Sequence, residues 1–177
     1  MDDIIVIDDF LTEEELDHLG LASTYKDHLW GVFLSFSKGL NYFTCNSQEF
    51  QEFDTSFLSK NLKDNEYFTS YLFNKIKKIF NQDYKLVDVY LNGKEALRNG
   101  SFHRDEDADR TVMLYITPWQ PAWGGFTHFM KSEKEHVIIP PITKRAINFR
   151  SDILHKGYSF CNQNCPMRIV VVFKLKL

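Results

Sequence analysis

The sequence predicts a mostly β fold, a sandwich or jelly roll with helices at its N-terminal side. Three observations point there. After Asn81 the chain runs as short β-rich segments at roughly even spacing, separated by turn pairs such as Asn92-Gly93, Asn99-Gly100, Gly124-Gly125 and Pro140-Pro141. Aromatic residues make up 15% of the 177, including 16 Phe and 8 Tyr, and such side chains fit a pleated surface. Two helical patterns precede these segments, placed to cover one sheet.

The elements follow in order. Ile4 to Ile7 is a short apolar run that reads as a strand. Thr12-Glu13-Glu14-Glu15 has the form of a capping box, with Leu11 and Leu16 as its hydrophobic staple, and predicts a helix to about residue 28. Residues 30–37 alternate loosely and read as a strand, whereas 46–62 give no clear pattern. Phe68, Tyr71, Leu72, Ile76, Ile79 and Phe80 recur at helical spacing between lysines 75, 77 and 78, which predicts an amphipathic helix lying on a larger surface. The strands expected beyond it are 84–91, 110–117, 126–130, 136–139, 144–149 and 167–175. There is no linker, repeat or low-complexity segment, so the expectation is one domain over 1–177, with 1–83 supporting a β core at 84–177.

Composition narrows the function. A net charge of −3 gives no global attraction to nucleic acid or an anionic membrane. Cys45, Cys161 and Cys165 are too few for a disulfide framework and lack the second pair of a zinc site, so they read as reduced thiols. No apolar run reaches membrane-spanning length, and Met1-Asp2-Asp3 is unlike a signal peptide. The expectation is a cytoplasmic protein.

The chemistry lies in Ser101-Phe102-His103-Arg104-Asp105. A histidine and a carboxylate two positions apart share one face of a strand, and a second imidazole would complete the set that holds non-haem Fe(II) with open positions for substrate and O2. His155, at the end of a late β segment, is better placed to meet them than His128, although spacing alone leaves both open. His18, His28 and His136 read as boundary or solvated residues. Asp105-x-Asp107-x-Asp109 resembles the start of a calcium loop, but Arg110 and Ile116 stand where that loop needs glycine and glutamate. Glu106, Asp107 and Asp109 therefore read as a solvated acidic loop. Arg168 opens an apolar strand that should be buried on both faces, and a buried guanidinium needs an anionic partner. A carboxylate-bearing cosubstrate would satisfy it, with the Tyr115 hydroxyl as a second donor; a structural ion pair is the plainer alternative.

Together these residues resemble the Fe(II)/2-oxoglutarate-dependent dioxygenase superfamily, in its prolyl 4-hydroxylase-like branch. The resemblance runs from about Val87 to the C-terminus, through Tyr90-Leu91-Asn92-Gly93, His103-Arg104-Asp105, Leu114-Tyr115-Ile116-Thr117-Pro118-Trp119, Trp123-Gly124-Gly125, Phe149-Arg150-Ser151, His155 and Arg168. It implies a double-stranded β-helix with His103, Asp105 and His155 as iron ligands. It further implies 2-oxoglutarate on the iron, its far carboxylate held by Arg168 and Tyr115, and Tyr90 lining the pocket. The implied reaction hydroxylates a C–H bond of a prolyl peptide or small molecule while 2-oxoglutarate yields succinate and CO2. Phe126 and His128 depart from the family pattern, and regular alternation would turn both toward the pocket. Lys174 stands where the nucleic-acid demethylase branch carries a second arginine, but the acidic balance and the glycine pair argue against that branch. The rival readings are a nucleic-acid-modifying oxygenase and a non-catalytic sandwich binding carbohydrate or peptide; substrate and oligomeric state stay open.

Overall fold

The computed structural model describes residues 2–19, 41–44 and 56–177. Its strands are β1 (Ile4–Ile7), β2 (Asn41–Thr44), β3 (Ser56–Asn61), β4 (Lys85–Lys94), β5 (Arg110–Tyr115), β6 (Thr127–Met130), β7 (His136–Ile139), β8 (Ala146–Arg150), β9 (Leu154–Gly157) and β10 (Arg168–Lys176). They form a seven-stranded antiparallel sheet, β1-β8-β5-β10-β4-β3-β2, facing a three-stranded sheet, β7-β6-β9. The chain leaves the large sheet after β5, builds β6 and β7 in the small one, returns for β8, crosses again for β9 and ends in β10. That alternation is the path of a jelly roll.

β10 shows why the layers form. Residues 168–175 are all buried, and successive side chains face opposite cores. Ile169, Val171, Phe173 and Leu175 join one core with Phe10, Leu11, Leu16, Phe68, Leu72 and Ile76 from the N-terminal segments. Val170 and Val172 join a second core between the sheets, with Met113, Tyr115, Phe129, Ile147 and Phe149. Arg168 and Lys174 share the inter-sheet face with these valines, and that face carries the chemistry.

The capping box forms as the sequence predicts: Glu15 donates its amide to Thr12 Oγ1 at 3.1 Å, and Thr12 donates its own to Glu15 Oε2 at 2.7 Å. Helix α1 covers Glu13–His18. The expected extension to residue 28 and the strand at 30–37 fall mostly or wholly outside the described residues, as does Cys45. The second helix begins as a π-helical turn, Tyr67–Leu72, and continues as α2, Phe73–Phe80. The widened turn favours a stripe at intervals of four, so Phe68, Leu72 and Ile76 are buried while Tyr71 and Ile79 turn outward. Tyr71 instead donates its hydroxyl to Glu15, tying this helix to α1. Cys161 and Cys165 are free thiols. Among the described residues no helix is long and apolar enough to cross a membrane.

Candidate metal and cosubstrate site

Two histidines are brought together by backbone pairing outside the main ladders. His103 and His155 exchange amide-to-carbonyl hydrogen bonds, both 2.9 Å, in an isolated antiparallel bridge beside β9. Their rings lie 4.3 Å apart between centroids. Asp105 follows two residues later on the same face, its amide donating to Ser151 O at 2.8 Å. One ligand atom from each of His103, Asp105 and His155 falls within 4.8 Å of the others. Each imidazole Nδ1 faces a backbone carbonyl, His103 with Ser101 O at 3.1 Å and His155 with Ile153 O at 2.9 Å. A proton on Nδ1 there leaves Nε2 as a free donor. Both Nε2 atoms face the carboxylate, at 3.8 Å from Oδ1 and Oδ2 respectively.

The electrostatics suit a cation. Burial drives the His155 pKa down to about 4, only partly offset by Asp105, and lowers that of His103 by the same cause. Both rings are therefore neutral and able to ligate at physiological pH. Burial works against the charge of Asp105, but its neighbours His155 and Lys174, with hydrogen bonds from Lys174 and Thr111, hold the carboxyl below its usual range. Thr111 Oγ1 donates to Asp105 Oδ2 at 2.6 Å and also meets Ser151 Oγ at 3.0 Å, which fixes the carboxylate plane. Lys174 pairs with Asp105 Oδ1, both side chains being buried. Neutral imidazoles, an ionised carboxylate and oriented rings form a donor set suited to a divalent metal ion such as Fe(II).

A cavity of about 430 Å³ connects this cluster to Arg168 and is walled by Tyr90, Val170 and Val172. Arg168 is 3% exposed. It donates from Nε to Gly125 O at 2.8 Å and from Nη2 to Thr127 Oγ1 at 2.9 Å, with the Tyr115 ring 5.3 Å from its guanidinium carbon. Tyr115 shares a 2.6 Å hydrogen bond with Thr127 Oγ1, and burial raises its pKa. Among the described residues no carboxylate pairs with Arg168. A buried guanidinium stays charged, so this end of the cavity is electropositive.

Of the two candidates for the third ligand, His155 joins the cluster and His128 does not. β6 points Thr127 and Phe129 inward, so Phe126 and His128 face away from the cavity, contrary to the alternation expected for them. Alternation fixes only that neighbouring side chains face opposite ways, and β6 takes the other parity after Gly124 and Gly125, whose φ values are +68° and +78°. His128 lies on the outer face of the small sheet, hydrogen-bonded at 2.8 Å to exposed His136 and stacked on Tyr158. Glu106, Asp107 and Asp109 are exposed as expected, with the first two at the cavity rim. Sequence reasoning missed Thr111, Thr127 and the contact of Lys174 with Asp105. The six-residue step from Arg168 to Lys174 is even and could have put both on one face, but nothing in the sequence put Asp105 opposite Lys174.

The fold matches proteins of known structure. The chain superposes on a prolyl hydroxylase from Trichoplax adhaerens, solved with a hypoxia inducible factor oxygen degradation domain peptide fragment, at a TM-score of 0.72 and 15% identity, covering 99% of this chain and 84% of that one. It superposes on a Pseudomonas putida prolyl-4-hydroxylase at 0.67 and 13% identity, covering 97% and 92%. A viral collagen prolyl hydroxylase from Paramecium Bursaria Chlorella virus-1, solved with 2-oxoglutarate, gives 0.54 and 18%, covering 98% and 96%. The chain has the fold of the prolyl hydroxylases. No protein-family model and no curated protein matches it in sequence. At such identities the likeness carries the architecture, and the chemistry must be argued from the side chains.

Proposed function

We propose that the protein is an Fe(II)- and 2-oxoglutarate-dependent oxygenase that hydroxylates a C–H bond of a prolyl peptide or a small molecule. The observation that carries the reading is the pairing of the His103–Asp105–His155 cluster with a buried Arg168 whose described partners are neutral, at two ends of one cavity. A metal-binding or structural role alone accounts for the first end and leaves the second without an anion.

In this reading His103, Asp105 and His155 hold Fe(II), which when bound supplies the chemistry that couples O2 and 2-oxoglutarate to substrate oxidation. The chain supplies the arrangement. Carbonyls of Ser101 and Ile153 orient the imidazoles, and Thr111 holds the carboxylate. Arg168 fixes the far end of the cosubstrate, with Tyr115 and Thr127 setting the guanidinium plane. Val170 and Val172 keep the wall between the two ends apolar. Tyr90, on the neighbouring strand, lines the same space and contacts whatever molecule fills it.

The test is anaerobic titration of the Fe(II)-loaded protein with 2-oxoglutarate. The expected result is a weak visible charge-transfer band that saturates, is absent in Asp105→Ala, and is followed on admitting O2 by succinate release. Binding of 2-oxoglutarate that does not depend on metal, with no band, refutes the proposal.

A further inference from the structure

We propose that Lys94 is a second anchor for the far carboxylate of the keto-diacid, acting together with Arg168. The proposal rests on the oxygenase reading and adds a residue to it. Lys94 ends β4 and is the direct cross-strand partner of Arg168 on β10. Both side chains line the cavity, and the residues are 7% and 3% exposed.

The two cations converge on one glycine. Lys94 donates from Nζ to Gly157 O at 3.1 Å, and a Cβ built on Gly157 would lie 3.4 Å from Arg168 Nη1. Gly157 follows His155 by two residues on β9. A strand rises about 3.3 Å per residue, so the two cations sit about 7 Å along the strand from the metal-facing imidazole. That is the reach of a five-carbon keto-diacid from its keto-acid end to its far carboxylate.

Hydrogen-bond supply points the same way. Arg168 commits Nε to Gly125 O and one Nη2 hydrogen to Thr127, so it presents Nη1 to Gly157 and the cavity. A carboxylate has about four acceptor positions, more than that edge alone serves. Lys94 supplies a second charged donor. Ser101 Oγ, in the same cavity wall, is buried without a hydrogen-bond partner and offers a third. Two buried like charges side by side repel, and an anion between them turns that repulsion into attraction. Gly100 makes room for the arrangement, because a Cβ there would overlap Lys94 Nζ.

The test uses the full chain loaded with Mn(II) and compares, by calorimetry, binding of 2-oxoglutarate with that of 2-oxobutyrate, which lacks the far carboxylate. Lys94→Met should lower the preference for 2-oxoglutarate at least tenfold while leaving 2-oxobutyrate and Mn(II) affinities as in the wild type. Lys94→Arg should keep most of the preference. Gly100→Ala, which displaces the ammonium without removing it, should lower the preference in the same direction and decides the matter if Lys94→Met does not fold. Wild-type preference in both Lys94→Met and Gly100→Ala overturns the role of Lys94 and leaves the oxygenase reading standing. A wild-type protein that does not distinguish the two acids overturns both.

Discussion

Replacing Lys174 with methionine removes the ammonium group from Asp105 while keeping most of the side chain's length. Lys174 is 6% exposed and Asp105 8%, so the pair is buried on both sides. A divalent ion held by His103, Asp105 and His155 has to share the carboxylate with this ammonium. A divalent ion and an ammonium 4 Å apart repel by about 8 kcal/mol at an effective dielectric near 20, twice the figure for two unit charges. Lys174 has an alternative: Asp88 is its direct partner across β4 and lines the same cavity, so much of that cost is relieved by turning. A net gain of about 1.4 kcal/mol in the variant is a conservative expectation, a tenfold tighter Kd. The metal-free variant should also melt earlier, because removing one partner of a buried pair typically costs about 3–5 kcal/mol. Mn(II) binding followed by electron paramagnetic resonance, with thermal melts in the presence and absence of metal, reads both effects. Unchanged or weaker Mn(II) affinity in a folded Lys174→Met protein refutes the reasoning. Lys174 would then support the ligand through an oxygen that the metal does not use.

Three further outcomes follow from the geometry. Arg168→Met should weaken 2-oxoglutarate binding about 100-fold, since charge-assisted hydrogen bonds contribute about 1.5–3 kcal/mol each, while Mn(II) affinity stays within a factor of two; equal cosubstrate affinity would make Arg168 structural only. Gly125→Ala places a Cβ 2.5 Å from the Phe160 ring at a backbone φ of +78°. Left-handed strain of about 1–2 kcal/mol plus overpacking of about 1–3 should lower Tm by at least about 5 °C, and an unchanged melt would show that the glycine pair is not needed there. The third concerns acid. His155 resists protonation in the fold down to about pH 4, against an ordinary value of 6.5. As pH falls through that window the unfolded chain takes up the proton first, so the metal-free protein loses stability between pH 6.5 and about 4 and shows no such slope above 6.5. Buried His103 adds to the loss in the same direction. Urea midpoints at pH 7 and 4.5 measure it, and His155→Gln should flatten the difference.

The sequence by itself determined most of the strands after Asn81, though not β9, together with the capped first helix, the His103–Asp105 pair and the buried arginine. Each is a local rule: alternation by two, a capping box, a charge in an apolar run. It also holds the even step of six residues that lets Arg168 and Lys174 share a face along a strand. It did not determine the third ligand, since His128 and His155 both lie in β-rich segments. That choice depended on pairing between segments about fifty residues apart, through the bridge from His103 to His155. Nor did alternation predict that Phe126 and His128 face outward, because it fixes that neighbours differ and not which of them turns to the core. The partners of Asp105, Thr111 and Lys174 with it, come from β5 and β10 packed against the bridge. Side-chain spacing within one strand is written in the backbone's own geometry, whereas register between strands emerges only when the whole sheet closes around its core.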